Sequence, residues 1–207
     1  MIGSETLNDY LERLASREPT PGGGAAGALH AAQGAALIAM VARYTTGARY
    51  AQHEEESLRI AARADDIIPA ALQLADDDEK AFAAVIAAYR LPSASDQDRA
   101  ARSRAIQEAT VAAAAPPRAL IGLATEVVDL GRQLAEFSNP NVISDVAAAS
   151  EAARAAIATA LITLDMNINA ITDERTRTEF RDELHHAHNA ILAAQVVTDR
   201  VREKVMA

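Results

Sequence analysis

Residues 19–43 read PTPGGGAAGALHAAQGAALIAMVAR, a loop of prolines and glycines followed directly by a run of small apolar residues. Two prolines and three consecutive glycines cannot lie inside a stable helix, so residues 16–24 are predicted to form an irregular loop. The residues that follow favour a helix over positions 25–44. One surface of that helix carries almost no side-chain bulk, at Gly27, Ala31, Gly34 and Ala35. Such a surface is suited to a close crossing with another helix.

The composition extends the helical prediction to the whole chain. Half of the 207 residues are hydrophobic, yet only 3% are aromatic and there is no tryptophan. Strand-rich domains use many β-branched and aromatic residues with regular turn signals, whereas alanine predominates here. A chain of this length is sufficient for one core and short for two. We therefore predict an all-α fold, a single alanine-rich helical bundle over residues 1–207.

Hydrophobic periodicity and breaker residues divide the rest of the chain into helices. The predicted helices cover residues 5–15, 53–91, 98–115, 118–136, 145–171 and 174–205. Ser4 is the expected N-cap of the first of them. The long helix 53–91 contains Pro69, where the missing amide hydrogen predicts a kink.

Charge and composition exclude several functional classes. The net charge of −9 argues against a nucleic-acid partner, and the absence of cysteine excludes disulfides and thiolate chemistry. The first residues, MIGSETLNDYLERL, lack the basic-then-apolar pattern of a secretory signal. The apolar residues 31–42 fall short of the ~20 that a membrane span needs. We therefore expect a cytoplasmic protein without a nucleic-acid or membrane partner.

Three consecutive acids, Asp76, Asp77 and Asp78, lie on different faces of the long predicted helix. Asp78 shares an apolar stripe with residues at three-and-four spacing, namely Ile67, Ala71, Leu74, Phe82, Val85 and Tyr89. Asp76 is expected to pair with Lys80 on a solvated face. Loss of hydration raises the pKa of a carboxyl group toward the range useful for proton transfer, which makes Asp78 the candidate catalytic residue. The alternative is structural, with Asp78 capping a neighbouring helix or pairing with a buried arginine.

Three further segments are candidates for ligand contact. Residues 22–24 are glycines that open a helix, so their backbone can bind an anion or lie against a flat ligand, or else form a simple tight turn. Residues 138–145 read SNPNVISD and either present polar groups to a ligand or make a turn in which Ser144 or Asp145 caps the next helix. Asp165 and Asn169 lie one turn apart beside an apolar stripe, where they join a buried network or face a ligand.

Three histidines near the C-terminus are the only residues that suggest a metal ion. His185 and His188 are spaced to share a helix face, with His186 between them. No carboxylate or further histidine stands at a spacing that completes a coordination shell. We therefore predict no metal site.

Four segments together resemble the cyclodeaminase/cyclohydrolase family, which includes bacterial methenyltetrahydrofolate cyclohydrolase and the cyclodeaminase domain of formiminotransferase-cyclodeaminase. They are residues 19–47, residues 74–92 (LADDDEKAFAAVIAAYRLP), residues 106–109 (IQEA) and residues 139–145 (NPNVISD). Each segment alone is moderately specific. Their occurrence in the family's order makes the resemblance nearly full-length.

The resemblance implies a helical bundle that forms a homodimer and holds a reduced folate in a cleft near the subunit contact. The implied reaction interconverts 5,10-methenyltetrahydrofolate and 10-formyltetrahydrofolate by gain or loss of water. Its counterpart makes the methenyl form from 5-formiminotetrahydrofolate with loss of ammonia. Neither reaction needs a metal or redox cofactor. The aspartate of the family's D-x-x-A-F pattern, its candidate proton acceptor, corresponds to Asp78, and the substrate contacts correspond to Gly22, Gly23, Gly24, Arg49, Asn141, Ser144, Asp145 and Asn169.

The chain departs from the family pattern where the substrate is expected to bind. Lysines that commonly follow the glycine at position 47 are replaced by Ala48 and Arg49 in a shorter stretch, and another is replaced by Ser93. Ser138 stands for a common glycine and Asp165 for a common asparagine. The cyclohydrolase is favoured over the cyclodeaminase because no formiminotransferase domain is attached. A member that acts on or binds a different small molecule, and a purely structural bundle, remain alternatives.

Overall fold

The computed structural model describes the backbone of all 207 residues and the side chains of residues 1–182 and 184–207. The backbone forms α1 (Leu7–Leu14), α2 (Gly23–Arg43), α3 (Glu54–Tyr89), α4 (Asp96–Ala113), α5 (Ala115–Phe137), α6 (Ile143–Ala170) and α7 (Glu174–Met206). Short 3₁₀ turns cover Ile2–Ser4, Ala48–His53 and Pro140–Val142. No strand occurs in this backbone, and the predicted all-α, alanine-rich bundle is confirmed.

Helix α2 lies at the centre of the bundle, packed against α3, α5 and α6. Helix α6 also packs against α5 and α7, and α4 lies at the side against α3 and α6. The core is built from alanines with a few larger residues that are fully buried, including Ile38, Ile60, Ile67, Leu134 and Ile157. Burial of this apolar surface, rather than helix propensity alone, stabilises the helices.

The smooth surface of α2 allows α6 to approach at close range. A Cβ atom at Gly34 would lie 3.0 Å from the backbone oxygen of Ala149 and 3.2 Å from Val127. One at Gly27 would lie 3.3 Å from Thr159, also on α6. The predicted close crossing is therefore confirmed, because the two backbones are separated by less than the space a methyl group needs.

Several predicted helix boundaries shift because of capping contacts. Thr6, and not Ser4, is the N-cap of α1, and its hydroxyl accepts the amide hydrogen of Asp9 at 3.1 Å. Helix α4 begins two residues earlier than predicted because Ser95 and Asp98 form a reciprocal capping box.

Three prolines lie within helices rather than between them. Helix α3 continues through Pro69 as one helix of 36 residues. Pro116 and Pro117 lie in the first turn of α5, where the backbone nitrogens have no intrahelical acceptor, so they begin that helix instead of interrupting it.

Three helical segments are long and apolar enough to cross a membrane by length and composition alone. They are Gly23–Arg43, Asp96–Phe137 and Pro140–Ala170. In the structure their apolar faces pack on neighbouring helices, and 61% of the most apolar window of the first segment is buried within the bundle.

The contact between α2 and α6 predicts opposite effects for two glycine substitutions. Gly34→Ala is expected to lower the free energy of unfolding by roughly 1–3 kcal/mol, because the methyl group meets a backbone oxygen that cannot move aside. Gly122→Ala, in α5, places its methyl group in open space and is expected to stabilise by about 0.5–1 kcal/mol. Urea denaturation of both variants checks the pair, and equal changes would contradict the close crossing.

Candidate active site

Asp78 lies where the middle of α3 passes the beginning of α2. Its carboxylate lies against Gly24, and the neighbouring backbone amide of Ala25 favours its charged form. Ala25 belongs to the first turn of α2, whose amide hydrogens have no acceptor within the helix. The positive end of the helix dipole also favours an anion at this position. Asp78 therefore lies at the N-terminal end of α2, where the structural alternative places a capping group.

Gly24 makes this arrangement possible. A Cβ atom at Gly24 would lie 2.5 Å from Oδ2 of Asp78 and closer still to its Cγ and Oδ1. No real Cβ atom approaches another group so closely. A Cβ atom at Gly23, the preceding residue, would meet only Thr159, at an ordinary 3.8 Å. The glycine at position 24 is therefore required for Asp78 to reach the end of α2.

The surroundings of Asp78 raise its pKa above the usual value for an aspartate. Burial is the largest cause, because it removes water from the charged form. The backbone amide of Ala25 opposes this effect, and the negative charge of Glu79 adds to it. The direction agrees with the prediction that Asp78 is partly withheld from water.

Asp78 also faces an open cleft between α2, α3 and α6. The cleft is lined by the loop before α2 and by the glycines that begin it, by α3, and by α6 and the end of α4. The lining residues are Pro19, Thr20, Gly22, Gly23, Gly24, Asp78, Ala81, Phe82, Ala113, Thr163, Met166 and Asn167. Asp78 therefore faces both the end of α2 and the cleft, and the two interpretations of its sequence position do not exclude each other.

The apolar stripe of α3 explains why the cleft opens at Asp78. Ile67 and Ala71 are fully buried, whereas Phe82 and Tyr89, beyond Asp78, are 46% and 53% exposed. Met166 faces the same opening from α6 and is 71% exposed. Asp78 thus lies at the boundary between the core and the open cleft, with apolar side chains at the mouth.

The prediction for Asp76 is wrong. Its side chain is nine-tenths buried and accepts the backbone amide hydrogen of Ile2 at 2.8 Å. Lys80 pairs instead with Asp77, at 3.2 Å. The N-terminal segment covers the face of α3 that helix spacing had assigned to solvent.

Four predicted substrate contacts lie at the opposite end of α2. Arg49 is exposed after that helix, with its guanidinium 5.6 Å from the centre of the Tyr50 ring. The loop with Asn141, Ser144 and Asp145 is fastened there too, because the amide hydrogen of Asn139 is donated to Thr45 at 3.1 Å. A helix of 21 residues is about 30 Å long, so this group and Asp78 cannot contact one small ligand in a single chain.

The same loop caps no helix through Ser144 or Asp145, contrary to the structural alternative for them. Helix α6 begins at Ile143 and has Val142 as its N-cap, without a side-chain hydrogen bond. Asn139 organises the turn instead, since its side chain accepts the amide hydrogen of Asn141 at 3.0 Å and donates to the carbonyl of Tyr44 at 3.1 Å.

On α6 the cleft uses a polar residue that the sequence did not single out. Asp165 and Asn169 are exposed and lie outside the cleft lining. Asn167 lines it instead, and its side-chain amide donates to the carbonyl of Ala113 at 2.9 Å. Thr163 and Asn167 are one turn apart, which is the periodic signal that identifies the correct face.

The described side chains contain no group of three or more histidine, cysteine or acidic residues arranged to hold a metal ion. His185, His186 and His188 are exposed on α7, and Nδ1 of His188 lies 2.8 Å from the carbonyl oxygen of Leu184.

The chain matches a known protein family over most of its length. The family model described as formiminotransferase-cyclodeaminase matches residues 6–186. The chain belongs to this family. The family resemblance drawn from the four sequence segments is therefore confirmed.

Relatives of the formiminotransferase-cyclodeaminase family differ in their described activity. The chain is 35% identical to a methenyltetrahydrofolate cyclohydrolase of Methylorubrum extorquens, over 99% of this chain and 98% of the relative. It is 30% identical to mouse formimidoyltransferase-cyclodeaminase, over 90% of this chain and 34% of that longer protein. The crystal structure of formiminotetrahydrofolate cyclodeaminase from Thermotoga maritima superposes with a TM-score of 0.89 at 28% identity, over 99% of this chain and all of the other.

The environment of Asp78 predicts a pH-dependent gain of stability in the Asp78→Asn variant. Because folding raises the pKa of Asp78, the folded protein binds this proton more tightly than the unfolded chain does. The stabilisation from that proton is complete below the unfolded pKa of about 3.9 and is lost as pH rises through the folded pKa. Asn retains an acceptor for Ala25 without the buried charge.

We therefore expect Asp78→Asn to unfold at a higher temperature than the wild type at pH 7. The difference should shrink as the pH approaches 3.5. Thermal unfolding followed by circular dichroism across this range measures it. A variant that is less stable than the wild type at pH 7 would show that the charge of Asp78 contributes favourably to the fold.

Proposed function

We propose that this protein is a methenyltetrahydrofolate cyclohydrolase, a folate one-carbon enzyme with Asp78 as its proton acceptor. The observation that carries the proposal is the half-buried carboxylate of Asp78, held against the first turn of α2 by Gly24 and facing the cleft. The full-length likeness to a relative described with this activity supports it.

The chemistry suits a single carboxylate. The methenyl bridge of the substrate is a delocalised cation, so a neighbouring negative charge stabilises it in the site. Water adds to the bridging carbon, and Asp78 takes a proton from it as the carbon–oxygen bond forms. The bond from that carbon to N5 then breaks, and the proton held by Asp78 passes to N5. The second proton of the water is released, leaving 10-formyltetrahydrofolate. No metal or redox cofactor takes part in the proposed reaction.

The cleft is suited to one flat end of such a ligand. A Cβ atom at Gly22 would meet nothing within 4 Å, so glycine there leaves open space beside the main chain. Phe82 and Met166 offer apolar surface at the mouth, and Asn167 offers a polar group. Aromatic heterocycles bind well between apolar side chains and exposed backbone.

We further propose that the protein acts as a homodimer. Arg49 and the loop around Asn141 lie about 30 Å from Asp78 within one chain. A second copy arranged by two-fold symmetry places one end of its α2 beside the other end of the first. Such an arrangement brings the cation of Arg49 near the folate tail and covers exposed apolar residues such as Phe82 and Tyr89. The positive charge of Arg49 would then replace part of the charge of the family's lysines, which this chain lacks.

Cyclodeaminase activity is the second candidate. The solved structure from Thermotoga maritima is described as a formiminotetrahydrofolate cyclodeaminase and is covered completely by this chain. A protein described as a cyclodeaminase thus need not extend beyond the part that this chain matches, so the argument that favoured the cyclohydrolase from sequence does not separate the two activities. Higher identity to the cyclohydrolase, 35% against 28%, favours hydrolysis.

The proposed reaction predicts that purified protein accelerates the loss of the methenyl chromophore. Decay of 5,10-methenyltetrahydrofolate absorbance should exceed the buffer rate, and Asp78→Asn should reduce kcat by roughly 10²–10⁴-fold. Ammonia release from 5-formiminotetrahydrofolate, measured in parallel, tests the second candidate. Decay no faster than in buffer would remove the cyclohydrolase assignment.

The contact between Gly24 and Asp78 predicts a difference between two adjacent glycines. Gly24→Ala is expected to displace the carboxylate and to lower kcat by roughly 10²-fold, since an error of about 1 Å in a catalytic group has such an effect. Gly23→Ala introduces the same methyl group without that overlap, so it should leave Asp78 in place and affect KM more than kcat, because Gly23 lines the cleft. Equal losses in both variants would mean that Gly24 does not act through Asp78.

A further inference from the structure

The N-terminal segment is fastened to α3 beside Asp78. Arg13, in the last turn of α1, donates through Nη2 to both carboxylate oxygens of Glu79, at 3.0 and 2.8 Å. Its Nη1 donates to Glu5. Glu79 directly follows Asp78 in the chain, so this guanidinium pairs with the residue beside the candidate catalytic carboxylate, from an element that does not itself line the cleft.

Arg13 is also joined to the loop that forms one wall of the cleft. The carbonyl oxygen of Arg13 accepts hydrogen bonds from the hydroxyl of Ser16 at 2.7 Å and from its amide at 3.1 Å. The Ser16 hydroxyl in turn accepts the amide hydrogen of Glu18 at 3.2 Å. Pro19 and Thr20, immediately after it, line the cleft. The side chain of Arg13 therefore contacts α3 while its main chain begins the loop.

We propose that Arg13 is a positioning residue of the candidate active site, which balances the charge of Glu79 beside Asp78 and anchors the loop over the cleft. The proposal deepens the function proposed above and rests on it. The planar guanidinium bridges two carboxylates, Glu5 through Nη1 and Glu79 through Nη2, which fixes its orientation in a way that the single ammonium group of a lysine does not. The side chain of Glu79 is only 19% exposed, so solvent screens its charge incompletely.

The other ionisable groups near this pair are few. On α3, Asp76 is occupied by the amide of Ile2, and Asp77 pairs with Lys80 at the surface. From α1, the buried hydroxyl of Tyr10 faces Glu79, and its pKa is raised by burial first and then by the charge of Glu79.

The remaining elements around Asp78 add no charge. Among the described residues, those that line the cleft from the loop, α2, α4 and α6 have no ionisable side chain. Asp78 itself lies on α3. Pro116, Pro117 and Leu120 of α5 lie on the inner side of Asp78, away from the cleft. The cluster of Arg13, Glu79 and Glu5 is thus the charged group beside Asp78 whose balance a substitution can change.

The test is the titration of Asp78 in the ligand-free protein, followed by ¹³C NMR of its carboxyl group and assigned with Asp78→Asn. Arg13→Gln leaves the charge of Glu79 unbalanced, so Asp78 should titrate at higher pH than in the wild type. Glu79→Gln removes that charge, so Asp78 should titrate at lower pH. The acid limb of the pH–rate profile should move in the same directions, with the rate of Arg13→Gln at the wild-type midpoint falling by roughly two- to threefold.

Arg13→Lys is the matched control, because it keeps the positive charge and loses the planar group that bridges Glu5 and Glu79. Asp78 should titrate in it close to the wild-type pH, whereas kcat should fall because the loop is less well held. Shifts in the same direction for Arg13→Gln and Glu79→Gln, or no shift in either, would overturn the proposal. Where Arg13→Gln does not fold, Glu79→Gln decides, and an unchanged titration there overturns it.

The NMR titration needs no substrate, which separates this proposal from the proposed function. Opposite shifts in a protein that does not hydrolyse 5,10-methenyltetrahydrofolate support the placement of charge by Arg13 and overturn the cyclohydrolase assignment. Hydrolysis by a protein whose Asp78 is indifferent to both substitutions supports the assignment and overturns the role of Arg13.

Discussion

The site depends on one contact between two helices, the carboxylate of Asp78 against the first turn of α2. Two opposing effects meet there. Burial disfavours the charge of Asp78, whereas the amide of Ala25 and the helix dipole favour it. Gly24 has to lack a side chain for the contact to form at all. The result is a carboxylate fixed in place, whose affinity for a proton exceeds that of an ordinary aspartate.

This contact has opposite effects on the stability of the fold and on the proposed proton transfer. A buried charge that is only partly compensated lowers the stability of the fold, and active sites commonly retain such groups because proton transfer needs them. The remainder of the bundle supplies the compensation through its alanine core, where α2 is packed on three sides by α3, α5 and α6. Asp78 is thus held in place by a rigid alanine core that its own charge does not stabilise.

Local spacing in the sequence was sufficient for the helices and for Asp78. Alanine content and breaker residues predict the bundle, and the three-and-four stripe of α3 selects Asp78 from three adjacent acids. The errors arose where a distant segment decides the environment. Asp76 has a solvated face on its own helix, but the amide of Ile2, 74 residues earlier, covers it. Asn167 was missed although it lies one turn from Thr163, because that spacing marks a face of α6 without showing that the end of α4 turns it toward the cleft.

The site residues taken from the family resemblance divide into two groups for a reason that spacing cannot show. The motifs at the two ends of α2 are close together in the sequence, yet the helix between them separates them by about 30 Å. Asp78 and the three glycines remain together at one end. Arg49 and the asparagine loop remain at the other, where no ionisable partner of the cleft is within reach in a single chain.

The close packing of α6 on α2 at Gly27 and Gly34 has a consequence for how molecules enter and leave the cleft. Helices whose backbones touch cannot slide or hinge without losing that fit, so α2 and α6 behave as one rigid body. These two helices form facing walls of the cleft, and its width is therefore fixed. A ligand therefore enters and leaves through motions of the side chains of Phe82 and Met166 and of the loop before α2. Such motions are fast compared with the rearrangement of a packed core.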